Sequence, residues 1–337
     1  MGKNVFITGG AGFIGTNTCE YYLKKGHHVY LLDNFTREGS KINAKYLSSK
    51  YKSLTIIKED VTSISKNTER IIKNCDIIFH FAGQVAVTTS IDNPRKDFNI
   101  NAAGTLNMLE IARKSSKKPI FLYSSTNKVY GELSRVKVVE GKSRYSFKSL
   151  PNGVSESNNL DFHSPYGCSK GAADQYVRDY SRIYGLRTIV FRQSCIYGPH
   201  QFGMADQGWI AWFILAILKG EKITIYGDGK QVRDILYVDD LVRAYDLAIK
   251  NIKKTSGNIY NIGGGKKYSI SVWTEFKPIL EKLFGKNIDN KFGNWRSGDQ
   301  KIYISDIRKA WKDFKWKPEV SPLVGIKRTF DWLKDNY

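Results

Sequence analysis

Tyr166 and Lys170 stand four residues apart in the stretch Asp161-Phe162-His163-Ser164-Pro165-Tyr166-Gly167-Cys168-Ser169-Lys170. On a helix that spacing puts a phenol and an ammonium on one face. An unperturbed phenol ionises at roughly pH 10, so it is a poor base at neutral pH. A neighbouring ammonium favours the phenolate and is expected to bring that ionisation down. Such a pair can exchange a proton with a sugar hydroxyl while a hydride leaves the same carbon. Ser164 is placed to cap a helix whose first residue is Pro165. The spacing alone is common on helix surfaces, so its meaning depends on what the chain sets beside it.

A hydride needs an acceptor, and the amino-terminal residues supply a place for one. The apolar run Asn4-Val5-Phe6-Ile7-Thr8 meets Gly9-x-x-Gly12-x-x-Gly15; a helix then runs through Leu23 to Gly26, and a second strand ends at Asp33. Gly9 and Gly12 allow a tight turn and close approach of backbone to a pyrophosphate, which a helix N-terminus attracts, and Gly15 lets helix and strand pack. Asp33, eighteen residues past Gly15, would accept hydrogen bonds from an adenosine ribose and repel a 2′-phosphate, favouring NAD over NADP. Arg37 reads as loop charge. The order strand, glycines, helix, strand, Asp is far more specific than the glycines alone.

The alternation continues with strands at 54–58, 77–81, 120–123 and 188–191, separated by helices ending near 73, spanning 93–114, and carrying Tyr166. This pattern predicts an α/β fold, a doubly wound parallel sheet of Rossmann type with ligands beyond the strand carboxyl ends. Past Arg192 it loosens: helix 206–219, strand 223–226, helix 239–250, strand 258–262, and helices near 271–284 and 321–334. The expected organisation is an NAD-binding domain at 1–192 and a smaller C-terminal α/β lobe at 193–337 capping the strand ends, with 234–262 able to return to the main sheet.

Bulk properties exclude other classes. At 41% hydrophobic the chain is globular. It has no apolar run of about 18 residues and no signal-like start, so neither a membrane span nor a membrane partner is expected. Cys19, Cys75, Cys168 and Cys195 show no metal-ligand pairing, so no metal is expected and reduced thiols in a cytoplasm fit. The net charge of +21 favours anionic partners. The lysines are scattered, however, and no nucleic-acid module accompanies them, so no nucleic-acid partner is expected. An NAD-sensing regulator without chemistry would be expected to lose Tyr166 or Lys170; both are present.

With these residues assembled, the chain resembles the extended short-chain dehydrogenase/reductase family, specifically its NAD-dependent nucleotide-sugar epimerases and dehydratases. The likeness runs end to end through GGAGFIG at 9–15, Asp33-Asn34, Asp60-Val61, Phe81-Ala82-Gly83, Tyr-x-x-x-Lys at 166–170 and Arg-x-Gly-Asp at 296–299. Longer stretches at 82–86, 88–94, 123–131, 160–176 and 229–234 are similar to the branch that inverts C2 of a CDP-linked sugar.

The resemblance implies a catalytic group of Thr126, Tyr166 and Lys170, with Thr126 holding the reacting hydroxyl against Tyr166 and Lys170 also reaching the nicotinamide ribose. It implies NAD, contacted by Gly9, Gly12, Phe13, Ile14, Asp33, Asn34, Asp60, Val61, Phe81, Ala82, Gly83, Asn101, Ser124, Tyr166, Lys170 and Gln193. For the nucleotide-diphosphate sugar, with CDP favoured, it implies Arg233 and Arg296 on the diphosphate, Asp299 orienting Arg296 or a ribose, and Tyr226 against the base. Gln84, Thr88, Thr126 and Asn127 would meet the sugar. The chemistry implied is transient oxidation to a keto sugar and return of the hydride to the other face, in surface-polysaccharide precursor synthesis, by a homodimer or homotetramer. A 4-epimerase would use the same groups on another carbon. Dehydratases place Asp-Glu after the catalytic Thr, where this chain has Asn127-Lys128, which cannot act as an acid–base carboxylate pair. His163 reads as a structural hydrogen-bonder rather than a second base, and Gln201 has no assigned role.

Overall fold

A computed structural model describes residues 2–37, 39–204, 207–295 and 299–337. Seven parallel strands form one sheet: β1 (Asn4–Thr8), β2 (His28–Asp33), β3 (Leu54–Lys58), β4 (Ile77–His80), β5 (Ile120–Thr126), β6 (Arg187–Gln193) and β7 (Asn258–Ile262), in the order β3-β2-β1-β4-β5-β6-β7. Successive side chains point to opposite faces. Val5 and Ile7 join one buried cluster with α1 (Phe13–Lys24) and the helix Val238–Lys250. Phe6 between them joins another with the helices on the far face. Those far helices are α2, which runs as Pro94–Phe98, a π turn at Asn99–Ala103 and Gly104–Arg113, and α3 (Ser164–Tyr184). Helices on both faces explain why the strands are apolar throughout rather than alternating.

The winding reverses between β1 and β4, which are neighbours although β2 and β3 separate them in sequence. At such a reversal the connections leave to opposite sides and open a crevice past the strand ends. Residues 196–237 and 266–337 build most of a second cluster around Ile210, Phe213, Ile214, Trp273, Phe276 and Leu333. Asn258–Ile262 lies at the edge of the main sheet, in register with β6. Among the described residues no helix is long and apolar enough to cross a membrane.

Local chemistry set several boundaries that periodicity missed. β5 extends to Thr126 because Ser124, Ser125 and Thr126 stay paired with β6. The expected continuous helix at 93–114 contains the π turn, which rotates the residues after Asp97 relative to those before it. The cap expected at Ser164 falls one residue earlier: the helix begins at Ser164, with His163 in the cap position and no side-chain cap there. Ser164 Oγ accepts the Gly167 N–H at 3.3 Å from within the first turn, beside Pro165. The Ser164 backbone is left-handed there, at φ 69°.

Candidate active site

A groove of about 340 Å³ lies past the carboxyl ends of β1, β2 and β4, lined by Gly9, Gly12, Phe13, Ile14, Asp33, Asn34, Asp60, Val61, Phe81, Ala82, Gly83 and Ser124. Its floor needs glycine. Gly9 has φ 64°, and a side-chain carbon there would lie 2.7 Å from the Ala82 nitrogen. At Gly15 it would lie 2.2 Å from the Gly9 carbonyl oxygen, so α1 can approach β1 only without a side chain. Gly12 opens α1 without a side-chain cap, leaving the positive end of the helix for an anion. Asp33 accepts the Ala11 N–H at 3.1 Å and the Phe35 N–H at 2.9 Å, which fixes its carboxylate at the groove rim. Burial pushes this carboxyl up, against those two bonds. Asn34 donates to Asp60 at 2.7 Å. An uncapped helix N-terminus, a side-chain-free floor and a fixed carboxylate at the rim fit a dinucleotide. Arg37 is more than loop charge: it donates to Gln207 Oε1 at 2.6 Å, and both residues line the groove.

A second cavity, of about 240 Å³, shares Phe13, Ile14, Phe81, Val85, Ser124 and Gln207 with the groove. Its remaining wall includes Thr126, Asn127, Tyr166, Lys170, Gln193, Cys195, Gln201 and Trp209. The two spaces adjoin, with these six residues common to both linings. Thr126 ends β5, with its Oγ1 accepting the Lys128 N–H at 3.2 Å. Tyr166 is buried, its N–H held by Ser90 Oγ at 3.1 Å. Lys170 is buried too; its Nζ donates to the Ser124 carbonyl at 2.5 Å and lies 4.3 Å from the Tyr123 ring centre.

Burial dominates the electrostatics here and corrects the simple spacing argument. It pushes the Tyr166 phenol up to about 12, while the Thr126 hydroxyl acts in the other direction. It takes Lys170 down to about 7, with Asp174 and Asp97 opposing. In this state the phenol is therefore held protonated, and the ammonium one turn away does not bring it down.

The other expected contacts divide. Gln193 lines the cavity and donates to Tyr245 Oη at 2.6 Å. Asn127 lines it with its amide 3.5 Å from Gln300 Oε1. Gln84 lines the groove, but its amide closes its own turn on Ala86, at 2.7 and 2.8 Å. Asn101 lies behind the groove, its amide held by Gln84, Asp97 and Ser169. Thr88 belongs to the helix Val87–Asp92 and lines neither space. Arg233 donates to Asp299 at 2.7 Å, so Asp299 orients this guanidinium; Arg296, its expected partner, lies outside the described residues. Tyr226 is exposed, with its ring against Gly293. His163 approaches Glu132 at 3.3 Å on the surface. Gln201 is buried in the cavity wall, its Oε1 without a hydrogen-bond partner among the described residues.

Several site residues had escaped the sequence reading. Asp174 pairs bidentately with Arg192, at 2.9 Å on both arms, and accepts Ser125 Oγ at 2.7 Å. A signal existed, since Asp174 is one helical turn past Lys170 on the same face. Asp97 and Ser90 gave none, because the π turn and the short helix that aim them leave no period in the sequence.

Against known proteins, a model of the NAD dependent epimerase/dehydratase family matches residues 5–263. CDP-paratose 2-epimerase of Salmonella typhi is 45% identical over 97% of this chain and 98% of its own length. The solved UDP-glucose 4-epimerase of Thermotoga maritima, with UDP-glucose, superposes with a TM-score of 0.84 at 30% identity, covering 99% of each chain. UDP-glucuronic acid 4-epimerase of Bacillus cereus, solved with UDP-glucuronic acid and NAD, gives 0.84 at 27% identity, covering 99% of this chain and 100% of the other.

Proposed function

Because this chain belongs to the NAD dependent epimerase/dehydratase family, we propose that it inverts C2 of a CDP-linked sugar, in the manner of CDP-paratose to CDP-tyvelose. The observation that carries this reading is that the groove shares six lining residues with a second cavity walled by Thr126, Tyr166 and Lys170. The likeness along the whole length to a CDP-paratose 2-epimerase supports C2 and CDP.

Gly9, Gly12, Asp33 and the start of α1 would hold the dinucleotide, with Lys170 and Ser124 at its reactive end. Bound NAD supplies a hydride acceptor and donor, and its oxidised ring adds positive charge that favours the phenolate. Thr126 holds the C2 hydroxyl against Tyr166. The phenolate takes the hydroxyl proton as the C2 hydrogen leaves with its electron pair, giving a 2-keto sugar. After the sugar presents its other face, the hydride returns and Tyr166 gives the proton back, so no solvent atom enters at C2. Arg233, aimed by Asp299, serves the diphosphate, a task suited to a guanidinium. Gln201 Oε1 is an acceptor for a sugar hydroxyl.

The test is to incubate the enzyme with CDP-paratose, and separately with UDP-glucose, in ordinary and deuterated water and to follow C2 and C4 by NMR. Inversion at C2 without solvent deuterium is expected. Deuterium at C2 would exclude hydride return, and inversion at C4 would replace this reading with a 4-epimerase. Tyr166→Phe should keep NAD and lose nearly all turnover.

A further inference from the structure

Asp97 is a buried carboxylate whose hydrogen-bond partners are all neutral. It is 1% exposed; it accepts the Ser169 hydroxyl, and it accepts the Asn101 amide at 3.1 Å. The same amide nitrogen donates to Ser169 Oγ at 3.1 Å, closing a three-residue cluster. A buried carboxylate is held ionised by a cation or by several donors, and two neutral donors are a thin supply. The missing charge is close by. Ser169 precedes Lys170 in α3, and a side-chain carbon at Gly83 would lie 2.9 Å from Asn101 Oδ1 and 3.9 Å from Lys170 Nζ. The ammonium and the amide that grips Asp97 thus border the same small space beside Gly83.

The groups facing Lys170 come from several elements. Tyr166 and Asp174 share its helix, Tyr123 lies under it on β5, His80 faces it from β4, and Asp97 faces it from α2. Asp174 is already matched by both arms of Arg192. Among the described residues, Asp97 is therefore the carboxylate facing Lys170 that has no hydrogen-bonded cation of its own.

We propose that Asp97 is a positioning residue for the epimerisation: across Ser169 it supplies the buried negative charge that keeps Lys170 an ammonium in register with Tyr166. This rests on the roles given above to Tyr166 and Lys170. It also gives the π turn a purpose, since that turn begins two residues after Asp97 and carries Asn101, so that Asp97 and Asn101 converge on Ser169.

Both Tyr166 and Lys170 feel a negative charge in the same sense, so its removal makes each give up its proton more easily. In the NAD-loaded enzyme assayed with CDP-paratose, Asp97→Asn should move both limbs of the pH–rate profile toward acid, by at least about half a unit. From that shift alone, turnover should fall about threefold or more on the alkaline side and hold or rise on the acid side. Asp97→Glu, which keeps the charge, should lower the profile without moving it. A uniform loss in Asp97→Asn, with both limbs in place, would overturn the proposal. Thermal melting of the single and double variants with Lys170→Met gives a reading independent of catalysis. Lys170→Met should recover at least half of any fall in melting temperature caused by Asp97→Asn, or restore folding if the single variant does not fold. Additive losses, or a double variant that also fails to fold, would overturn it. Failure of the epimerase reading itself would show instead as a parent enzyme that does not invert C2 of CDP-paratose, and failure of the role given to Tyr166 as a fully active Tyr166→Phe enzyme.

Discussion

Two buried cations flank Asp174, and the protein treats them in opposite ways. Arg192, 2% exposed, is gripped by both Asp174 oxygens and by the Tyr130 hydroxyl at 3.0 Å, so its charge is matched atom for atom. Lys170, on the same helix as Asp174, has a carbonyl and an aromatic face for direct partners, and burial brings it to about 7. The first arrangement ties β6, α3 and the turn at 127–130 together. The second leaves a proton that is easily moved. A full partner set marks architecture, and an incomplete one marks a group that can exchange its proton.

The strongest way to break this contrast is to take Arg192's partner away. Asp174→Asn leaves a guanidinium buried without its counter-charge and should destabilise the protein by about 3–5 kcal/mol, read by urea or thermal unfolding. Asp174→Leu combined with Arg192→Met should recover most of that loss, since well-packed apolar replacements of a buried pair are often neutral. If Asp174→Asn melts within about 1 kcal/mol of the parent, the pair is not the fixture described.

Lys170→Met should behave the other way round. Activity should drop by about 10²–10⁴-fold, measured as kcat/KM with CDP-paratose, while stability should change far less than in Asp174→Asn, since relief of the buried ammonium offsets the charge lost beside Asp97. The pH dependence follows from linkage. The folded chain gives up the Lys170 proton near 7, whereas the unfolded chain keeps it to about its ordinary 10.5. Stability of the parent therefore climbs with pH through that window, by at most about 1.4 kcal/mol per unit from this group. Lys170→Met should flatten that climb and gain most below pH 7. A variant that loses as much stability as Asp174→Asn at every pH would put Lys170 in the same class as Arg192.

What was legible follows the same division. The cofactor half of the cleft could be read because its residues act through backbone: Gly9, Gly12 and Gly15 are there for want of a side chain, and Asp33 ends a strand. Such constraints leave fixed spacings. Tyr166 and Lys170 were legible through the helical period. Asp97, Ser90 and the clasp from Arg37 to Gln207 join residues from 72 to 170 positions apart, and no local pattern encodes such pairs. The effect of the Lys170 ammonium on Tyr166 was misjudged for a related reason. Spacing shows that two charges are close, but only the fold shows how dry the site is, and here dryness outweighs proximity.

His80 sharpens the contrast with a smaller effect. It is fully buried between Thr8 Oγ1 at 2.8 Å and Thr105 Oγ1 at 3.0 Å, and burial, with Lys170 nearby, holds it down to about 3. It stays neutral in the folded protein at pH values where the unfolded chain protonates it. Stability should then fall as pH drops from about 6.5 toward 3, again by up to about 1.4 kcal/mol per unit. His80→Gln should lower stability near neutrality yet remove part of this acid slope. A slope unchanged in that variant would assign acid lability to other groups.

The smallest expected effect separates hydroxyl from methyl at Thr126. Thr126→Ser keeps the oxygen that accepts the Lys128 N–H and acts on the Tyr166 phenol, so kcat/KM should stay within about threefold, under 1 kcal/mol. Thr126→Val has nearly the same shape and lacks only that oxygen. It should lose about 10²-fold, and what remains should need a higher pH, because the phenol has lost the one neighbour that made it easier to ionise by hydrogen bonding. If the serine variant suffers and the valine variant does not, Thr126 works by packing, and the cavity's chemistry rests on Tyr166 and Lys170 alone.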